Sequence, residues 1–423
     1  MASIKPFNAV FYNKNKVNLS SVIMPPYDII RDIEPYYSKD QYNIIRIDKG
    51  REESGDSQSN NKYTRAKETM DKWLSEKILL KEEKEYIYVY IQDYLLPDGS
   101  KRQMLGFYAK IKLEEFDKKI ILPHERTHSG PKVDRLELMR HTKSNTSPIL
   151  TFFYDQQQIV NSVLLKNINK KPFLEAYIDN NLQCKLWKIE KENDFEIIID
   201  FLKDKQLFIA DGHHRYETAI NFRNEMKEKL GIKGDSNYDY IMSVLIDIEH
   251  SGITILPTHR MFKDFPDFSI YSEDMKKFFN IVKVTEKEFK AEMNKNDEKK
   301  IGMVNKKGFY LFKLKEKNYK EIIKNESRIK EYYFLSVCVL HFLFFQKILK
   351  ISEEEIFKQI DYTQNFNEAI EKVISGEMKI SFFVQPTTTD EIKTISLNNE
   401  VMPQKSTYFL PKLATGLLIN PLE

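Results

Sequence analysis

This chain of 423 residues has few cysteines and few glycines, and it has no large excess of charge of either sign. The two cysteines, Cys184 and Cys338, exclude a disulfide framework and a cysteine-ligated zinc site, and they fit a reducing compartment. The 13 glycines and 15 prolines exclude collagen-like and linker-rich chains. The formal net charge is only +3, so the composition provides no general attraction to nucleic acid or to anionic membranes.

Targeting and membrane signals are also lacking. The first residues, "MASIKPFNAV", do not pair a charged start with an apolar stretch, so no secretory signal is predicted. The most apolar run covers residues 332–349 and is borderline in length for a membrane span. Ser336 and His341 interrupt this run, and we predict a buried core helix. The expectation is a cytoplasmic protein with no membrane partner.

Hydrophobic residues make up 41% of the chain, and strand-like and helix-like patterns alternate along most of it. This alternation predicts a mixed α and β fold. We expect an α/β core over residues 1–264 and a charged peripheral α+β subdomain over 265–328. Residues 329–423 are predicted to form a C-terminal helix and an α/β segment that packs on the core.

The stretch "LFIADGHHRYETA", residues 207–219, predicts a buried strand, a tight turn and an amphipathic helix that ends at Gly231. Gly212 allows the backbone of the turn to approach a ligand, and the amino end of the helix favours an anion. Arg215 would clamp a phosphate or carboxylate. His213 and His214 add acid–base groups, and Asp211 could accept a proton or hold Mg²⁺. The turn therefore predicts a phosphate-handling site.

The stretch "HERTH", residues 124–128, matches the zinc-protease pattern H-E-x-x-H. That chemistry needs both histidines on one sustained helix, whereas Pro123 precedes the pattern and Ser129–Pro131 closely follow it. No metal site is therefore predicted. Glu125, together with Arg126 and Arg135, stays a candidate for a polar site, with surface ion pairing as the alternative.

Two further stretches carry candidate anion-binding groups. "ILPTHRMF" places His259 and Arg260 after a strand, where they line a pocket or belong to an ordinary loop. "MPQKSTYFLPK" clusters Lys405, Ser406 and Thr407, which suits an anion although the glycine-rich cradle of a Walker loop is absent.

In order along the chain, these stretches resemble the bacterial and archaeal family catalogued as domain of unknown function 1015. The resemblance rests on "PPYDII" at residues 25–30, on "HERTHSGPKVDR", on "ADGHHRYETA" at 210–219, on "PTHR" at 257–260 and on "MPQKSTYFLPKL". It spans nearly the whole chain. In the last motif, Leu410 replaces the family's tyrosine.

The turn Asp-Gly-His-His-Arg also resembles the nucleotide-binding turn of the ParB/sulfiredoxin-like superfamily, and most of all that of free-serine kinases which use ADP or ATP. Members of the present family are also associated with serine-biosynthesis genes. The resemblance implies a ParB/sulfiredoxin-like nucleotide-binding core with added α/β elements. It implies a serine kinase-like phosphotransferase that uses ATP or ADP with Mg²⁺. Those kinases have a separate acidic base, for which Asp28 and Glu125 are candidates by residue type alone.

Under this hypothesis the partners are serine or phosphoserine and a nucleotide, and no nucleic acid. His259, Arg260 and Lys405 would complete the anionic pocket. One alternative is a phosphatase that acts on phosphoserine or a related metabolite. Others are a nucleotide sensor or ParB-like regulator without catalysis and, last, a zinc hydrolase. The sequence does not indicate the oligomeric state.

Overall fold

The computed structural model describes residues 2–125, 130–179, 182–250, 252–295 and 297–423. The chain forms two compact units. Unit 1 comprises residues 1–123, 127–254 and 410–423, and unit 2 comprises residues 124–126 and 255–409. Most of unit 2 is therefore an insertion between two segments of unit 1.

The strands follow in chain order. They are β1 (Ile4–Lys5), β2 (Val10–Tyr12), β3 (Leu79–Lys81), β4 (Tyr88–Leu95), β5 (Lys101–Lys112), β6 (Ile121–Leu122), β7 (Ser144–Asn145), β8 (Ile149–Phe153), β9 (Leu174–Asp179), β10 (Leu182–Lys188), β11 (Leu207–Asp211), β12 (Tyr240–Asp247), β13 (Thr254–Leu256), β14 (His259–Phe262), β15 (Phe279–Val284), β16 (Lys300–Asn305), β17 (Gly308–Leu314), β18 (Ile360–Thr363), β19 (Ile380–Phe383), β20 (Tyr408–Leu410) and β21 (Asn420–Pro421).

The α-helices are α1 (Leu19–Val22), α2 (Glu34–Lys39), α3 (Ile45–Asp48), α4 (Lys62–Ser75), α5 (Gly130–Thr142), α6 (Ile159–Asn167), α7 (Glu192–Lys203), α8 (His213–Leu230), α9 (Glu273–Phe278), α10 (Glu286–Met293), α11 (Glu316–Ile323), α12 (Lys330–Tyr333), α13 (Ser336–Cys338), α14 (Glu353–Gln359), α15 (Phe366–Ile374) and α16 (Thr389–Leu397). Two short 3₁₀ turns, Phe116–Lys118 and Asn237–Asp239, and a π-helical segment, Val339–Ile348, complete the helical elements of the described chain.

Unit 1 is built on a nine-stranded mixed sheet with the strand order β6-β11-β8-β12-β5-β4-β10-β9, and β1 adds to β5. β12 runs parallel to β8, β11 runs parallel to β6, and β11 is antiparallel to β8. Pro97, Asp98 and Gly99 lie in the hairpin turn that joins the antiparallel strands β4 and β5. Apolar side chains from the sheet and from α6, α7 and α8 form the core of this unit.

The predicted strand–turn–helix is confirmed at β11 and α8. Apolar residues at helical spacing bury one face of α8, namely Tyr216, Ala219, Phe222 and Met226. Gly231 ends the helix in the left-handed conformation, as its position predicts. At the other end of α8, the register of β11 against β8 shifts between Ile209 and Asp211. Such an irregularity redirects the last side chain of a strand.

Unit 2 holds a six-stranded sheet with the order β15-β17-β16-β19-β14-β18. β15, β16 and β17 come from the charged region 265–328 and share this sheet with β14, β18 and β19. The apolar run 332–349 is buried in the core of this unit, as predicted, but much of it is π-helical. Among the described residues, no helix is long and apolar enough to cross a membrane.

The fold is a mixed α/β arrangement with several sheets, which confirms the predicted class. The division of the chain into the segments 1–264, 265–328 and 329–423 stays a prediction. The two units described above are defined independently of it. Both cysteines are buried, and burial raises the pKa of the Cys184 thiol to about 12. Both act as small packing residues in the described structure.

Candidate functional site

The turn between β11 and α8 requires glycine at position 212. Gly212 has a φ of +92°, a left-handed conformation that side chains rarely adopt. A Cβ atom there would lie 2.8 Å from Ile149 Cγ2 and 3.1 Å from the guanidinium carbon of Arg215. The glycine therefore allows both the turn and the close approach of Arg215 to the backbone. Gly212 is also the N-cap of α8 and has no side chain, so no N-cap side chain covers the partial positive charge at the amino end of this helix.

Asp211, the last residue of β11, lies between two cations of unit 1. Its Oδ1 accepts a hydrogen bond of 2.6 Å from Lys412 Nζ. Its Oδ2 accepts one of 2.8 Å from Arg215 Nη2. Lys412 comes from the final segment of unit 1, so the pair joins distant parts of the chain. The group has one negative and two positive charges and therefore an excess positive charge.

The electrostatics of this cluster keep Asp211 ionised. Burial alone would raise the pKa of its carboxyl group, but the charges of Lys412 and Arg215 outweigh that effect and, with a contribution from His213, hold the pKa well below its usual range. A carboxylate with so low a pKa is a weak proton acceptor at neutral pH. It acts here as the partner that positions two cations.

Arg215 is 8% exposed and is held from several sides. Its Nη1 donates a hydrogen bond to the carbonyl oxygen of Pro148. Its guanidinium carbon lies 5.9 Å from the ring centre of Tyr27, and that of Arg135 lies 4.0 Å from the same ring. The motifs "PPYDII", "PKVDR" and "DGHHR" thus meet at one aromatic ring in unit 1.

The remaining candidates of unit 1 are sequence neighbours of Arg215 or of Tyr27. His213 and His214 form the first turn of α8 and are half-buried. Asp28 follows Tyr27 in a turn and is exposed. Its charge contributes to the raised pKa of Tyr27, whose main cause is burial.

The other candidates belong to unit 2. Glu125 lies in an extended bridge to Met402, and not in the helix that a zinc-protease motif requires. Its Oε1 accepts hydrogen bonds from the backbone N–H (3.0 Å) and the hydroxyl group (2.9 Å) of Thr407. His124 Nε2 is 2.8 Å from the same hydroxyl oxygen. These contacts tie together two segments of unit 2. Arg126 and His128 lie outside the described residues.

His259 is buried against the rings of Phe366 and Phe383, with ring centres 5.3 and 4.8 Å away. Burial, with a contribution from the charge of Arg260, lowers its pKa to about 3, so it is neutral at physiological pH. Arg260 is fully buried and donates hydrogen bonds to the carbonyl oxygens of Thr258 and Lys405. In unit 2, His259 packs against aromatic rings and Arg260 is hydrogen-bonded to the backbone. Their role in anion binding stays a prediction.

The Lys405 cluster also has structural roles. The Lys405 side chain is exposed, and its backbone has a φ of +58°. The hydroxyl group of Ser406 donates a hydrogen bond to the carbonyl oxygen of Pro403, and that of Thr387 donates one to the carbonyl oxygen of Ser406. These three candidates lie together in unit 2, and the assignment of phosphate binding to them stays a prediction.

Sequence reasoning missed the lysine that meets Asp211. Lys412 stands in the motif that supplied Lys405, seven positions later, so the motif itself was a usable signal. Asp48, a buried partner of Arg135 at 3.4 Å, was missed as well. No sequence signal pointed to it.

Fold and site together define a mixed α/β protein with a cationic cluster on a strand–turn–helix. The chain belongs to the family described as "Protein of unknown function (DUF1015)", whose sequence profile matches residues 4–332. The membership predicted from the motifs is thereby confirmed. The motif at residues 402–412 lies beyond the matched range. No curated protein matches this sequence.

Three solved structures illustrate the structural likeness. A free serine kinase in complex with AMP has 16% identity and a TM-score of 0.35, covering 75% of this chain and 91% of that one. A conserved hypothetical protein from Pyrococcus furiosus has 16% identity and a TM-score of 0.32, covering 74% and 94%. C-terminally truncated SbnI from Staphylococcus aureus has 12% identity and a TM-score of 0.35, covering 74% and 87%. Likenesses this low assign no activity to this chain.

Proposed function

We propose that this protein is a phosphotransferase of the serine kinase-like type, which moves a phosphoryl group between a nucleotide (ATP or ADP) and serine or phosphoserine. The observation that carries the proposal is the cluster at the Gly212 turn. There a helix amino end, Arg215 and Lys412 bring positive charge together around one half-buried carboxylate. The choice of serine rests on the resemblance of the Asp-Gly-His-His-Arg turn to that of free-serine kinases.

Phosphoryl transfer depends mainly on positioning and on stabilising charge. A phosphate on the turn would lie at the positive end of α8. Arg215 and Lys412 would neutralise the charge that develops on the transferred group. Asp211 would orient both cations, which is a positioning role and not that of the base.

The reaction would form one bond and break one bond. The serine hydroxyl oxygen bonds to the terminal phosphorus, and the bond from that phosphorus to the bridging oxygen of the nucleotide breaks. The departing nucleotide keeps the electron pair. The hydroxyl proton passes to a base, for which His213, His214 and Asp28 are the candidates of unit 1.

The resemblance also implies Mg²⁺. Asp211 does not fit as its ligand, because both carboxylate oxygens already bind cationic side chains. In this proposal Asp211 is therefore not a ligand of the metal. The ParB/sulfiredoxin-like core implied by the resemblance is part of the same proposal, since the turn is the element on which that likeness rests.

Phosphorus NMR on purified protein tests the proposal. The mixtures are serine with ATP, serine with ADP, phosphoserine with ADP, phosphoserine with AMP, and phosphoserine alone, all with Mg²⁺. We expect a phosphoryl signal to move between nucleotide and serine, to be lost in Arg215→Lys, and to persist in the control Arg140→Lys. Arg140 is a half-buried arginine on α5 that pairs with Glu225. Release of free phosphate from phosphoserine alone would indicate a phosphatase. Silence in every mixture would overturn the proposal.

A further inference from the structure

A cavity of about 160 Å³ lies among α3, α4, α5 and the Tyr27 turn in unit 1. Its polar lining consists mainly of Tyr27, Asp48, Lys62, Tyr63, Asp134 and Arg135. The cavity is thus large enough for a small molecule. It is distinct from the cluster around Asp211.

Two oppositely charged side chains of the cavity are buried. Asp48 is 1% exposed and Arg135 is 5% exposed. Arg135 Nη1 lies 3.4 Å from Asp48 Oδ1, and Thr146 donates a hydrogen bond to that same oxygen. Among the described residues, neither Asp48 Oδ2 nor Arg135 Nη1 has a hydrogen-bond partner. One acceptor and one donor, both charged, are thus left unsatisfied side by side.

The more exposed part of the cavity is already satisfied. Lys62 Nζ is 2.9 Å from Asp134 Oδ1 and 3.0 Å from Glu52 Oε1. The Tyr63 hydroxyl group donates a hydrogen bond of 2.9 Å to Asp134 Oδ1. Asp134 also accepts a hydrogen bond of 2.8 Å from Arg135 Nε. The unmet hydrogen-bonding capacity is therefore concentrated on Asp48 and Arg135.

The polar atoms of buried charged groups normally have hydrogen-bond partners, because a buried donor or acceptor without a partner costs free energy. A simple anion would satisfy Arg135 but would be repelled by Asp48. A simple cation would satisfy Asp48 but would be repelled by Arg135. A molecule that carries both an ammonium and a carboxylate group satisfies both atoms, and the volume restricts it to a small one.

The cavity is also connected to the phosphate-handling turn. The Tyr27 ring contacts the guanidinium group of Arg135 at the cavity, and Arg215 lies 5.9 Å from the same ring. One aromatic side chain thus separates the two cationic groups. A small molecule in the cavity would lie next to the turn that holds the phosphate.

We propose that this cavity binds a small zwitterion of the α-amino acid class, with Asp48 accepting from its ammonium group and Arg135 donating to its carboxylate. This inference rests on the proposed function, in which it supplies the subsite for the amino acid. The recognised features are the two charges and the small size.

Calorimetric titration of the full chain tests the ligand class without any substitution. The probes are L-serine, ethanolamine, which lacks the carboxylate, glycolate, which lacks the amine, and L-phenylalanine, which has a larger side chain. We expect serine to bind and each half-ligand to bind about tenfold or more weakly, since each loses a charge-assisted contact. Equal binding of serine and either half-ligand, or no binding of serine, would overturn the inference.

Two variants locate the site. Asp48→Asn and Arg135→Met should weaken serine binding about tenfold or more, for the same reason. The controls Asp71→Asn on α4 and Arg140→Met on α5, the helix of Arg135, change ion pairs that do not line the cavity, and both should bind serine as the wild type does. Circular dichroism checks that each variant is folded.

The outcomes separate this inference from the proposed function. Serine binding that depends on Asp48 and Arg135, without any transfer to or from a nucleotide, would support the cavity and overturn the phosphotransferase. Transfer in the NMR experiment together with serine binding that folded Asp48→Asn or Arg135→Met leaves unchanged would overturn the cavity assignment alone.

Discussion

Lys412 Nζ lies 2.6 Å from Asp211 Oδ1, although the two residues are 201 positions apart in the chain. The same carboxylate holds Arg215 at 2.8 Å through its other oxygen. The half-buried carboxylate of Asp211 thus sets the position of two cations. One of these cations, Lys412, comes from a segment that the sequence had linked to the site through a different lysine, Lys405. The predictions below follow from this arrangement and from the burial of His259.

Replacing Lys412 with methionine should weaken binding of ADP or ATP about tenfold or more, because the phosphate loses one charge-assisted contact. Calorimetric titration measures the affinity. Lys170→Met is the control, because Lys170 forms an exposed ion pair with Glu190. Equal nucleotide affinity in both variants would remove Lys412 from the proposed site.

Alanine at position 212 should destabilise the protein more than alanine at position 231. Both glycines adopt the left-handed backbone conformation, and they lie at the two ends of α8. A side chain in that conformation lowers the free energy of unfolding by about 1–2 kcal/mol in either variant. At Gly212 the added Cβ also clashes with Ile149, whereas nothing lies within 4 Å at Gly231. Urea unfolding gives both free energies. Equal losses would show that the turn accommodates a side chain.

Replacing Asp211 with asparagine should change how stability depends on pH. The folded-state pKa of Asp211 lies below its usual value of about 3.9, so its contribution is present above that pH and is lost as the pH falls toward the folded-state pKa. The difference in unfolding free energy between wild type and Asp211→Asn should therefore shrink between pH 5 and pH 2. Urea unfolding at several pH values measures it.

The matched control for this pH experiment is Asp200→Asn, which alters an exposed ion pair with Lys203. Its difference from wild type should stay small throughout, since exposed pairs contribute about 0–1 kcal/mol. A pH-independent difference for Asp211→Asn would mean that the carboxylate is not held ionised by its two cations.

His259 should make the protein less stable in mild acid. Its folded-state pKa is lowered to about 3, so between roughly pH 6.5 and pH 3 the unfolded chain takes up a proton that the folded protein does not. Stability should fall with decreasing pH by up to about 1.36 kcal/mol per pH unit from this residue. His259→Phe should flatten the curve, as measured by urea unfolding.

Phe383→Leu serves as the control for His259, because it alters the same aromatic cluster without removing a titratable group. It should lower stability by a similar amount at each pH. If His259→Phe instead leaves the pH dependence intact and weakens nucleotide binding, the sequence-based role of His259 in the anion site would be favoured over the packing role.

The local part of the site was predictable from sequence. The strand, the glycine turn and the helix from β11 to α8 follow from an apolar run, one glycine and a helical period, all within 25 residues. Such signals depend on neighbours in the chain. The hairpin at Pro97-Asp98-Gly99 was predictable for the same reason.

The partners of that turn were not predictable, because they depend on contacts between distant segments. Lys405 and Lys412 are equally basic in the sequence, and only the fold shows that the second one reaches Asp211. Asp48 looks like an ordinary acidic residue near the end of a short helix, yet it is buried beside Arg135. The apolar run 332–349 indicated a core element but not its π-helical geometry.

The insertion of unit 2 has a consequence for how the chain is made. Residues 255–409 separate Lys412 from the rest of unit 1. During translation, Asp211 and Arg215 are therefore synthesised well before the second cation of their cluster. Until the ribosome has passed unit 2, the nascent turn has one cationic partner in place of two. The charge balance of the turn is thus completed only after unit 2 has been synthesised, when residues 410–423 join unit 1.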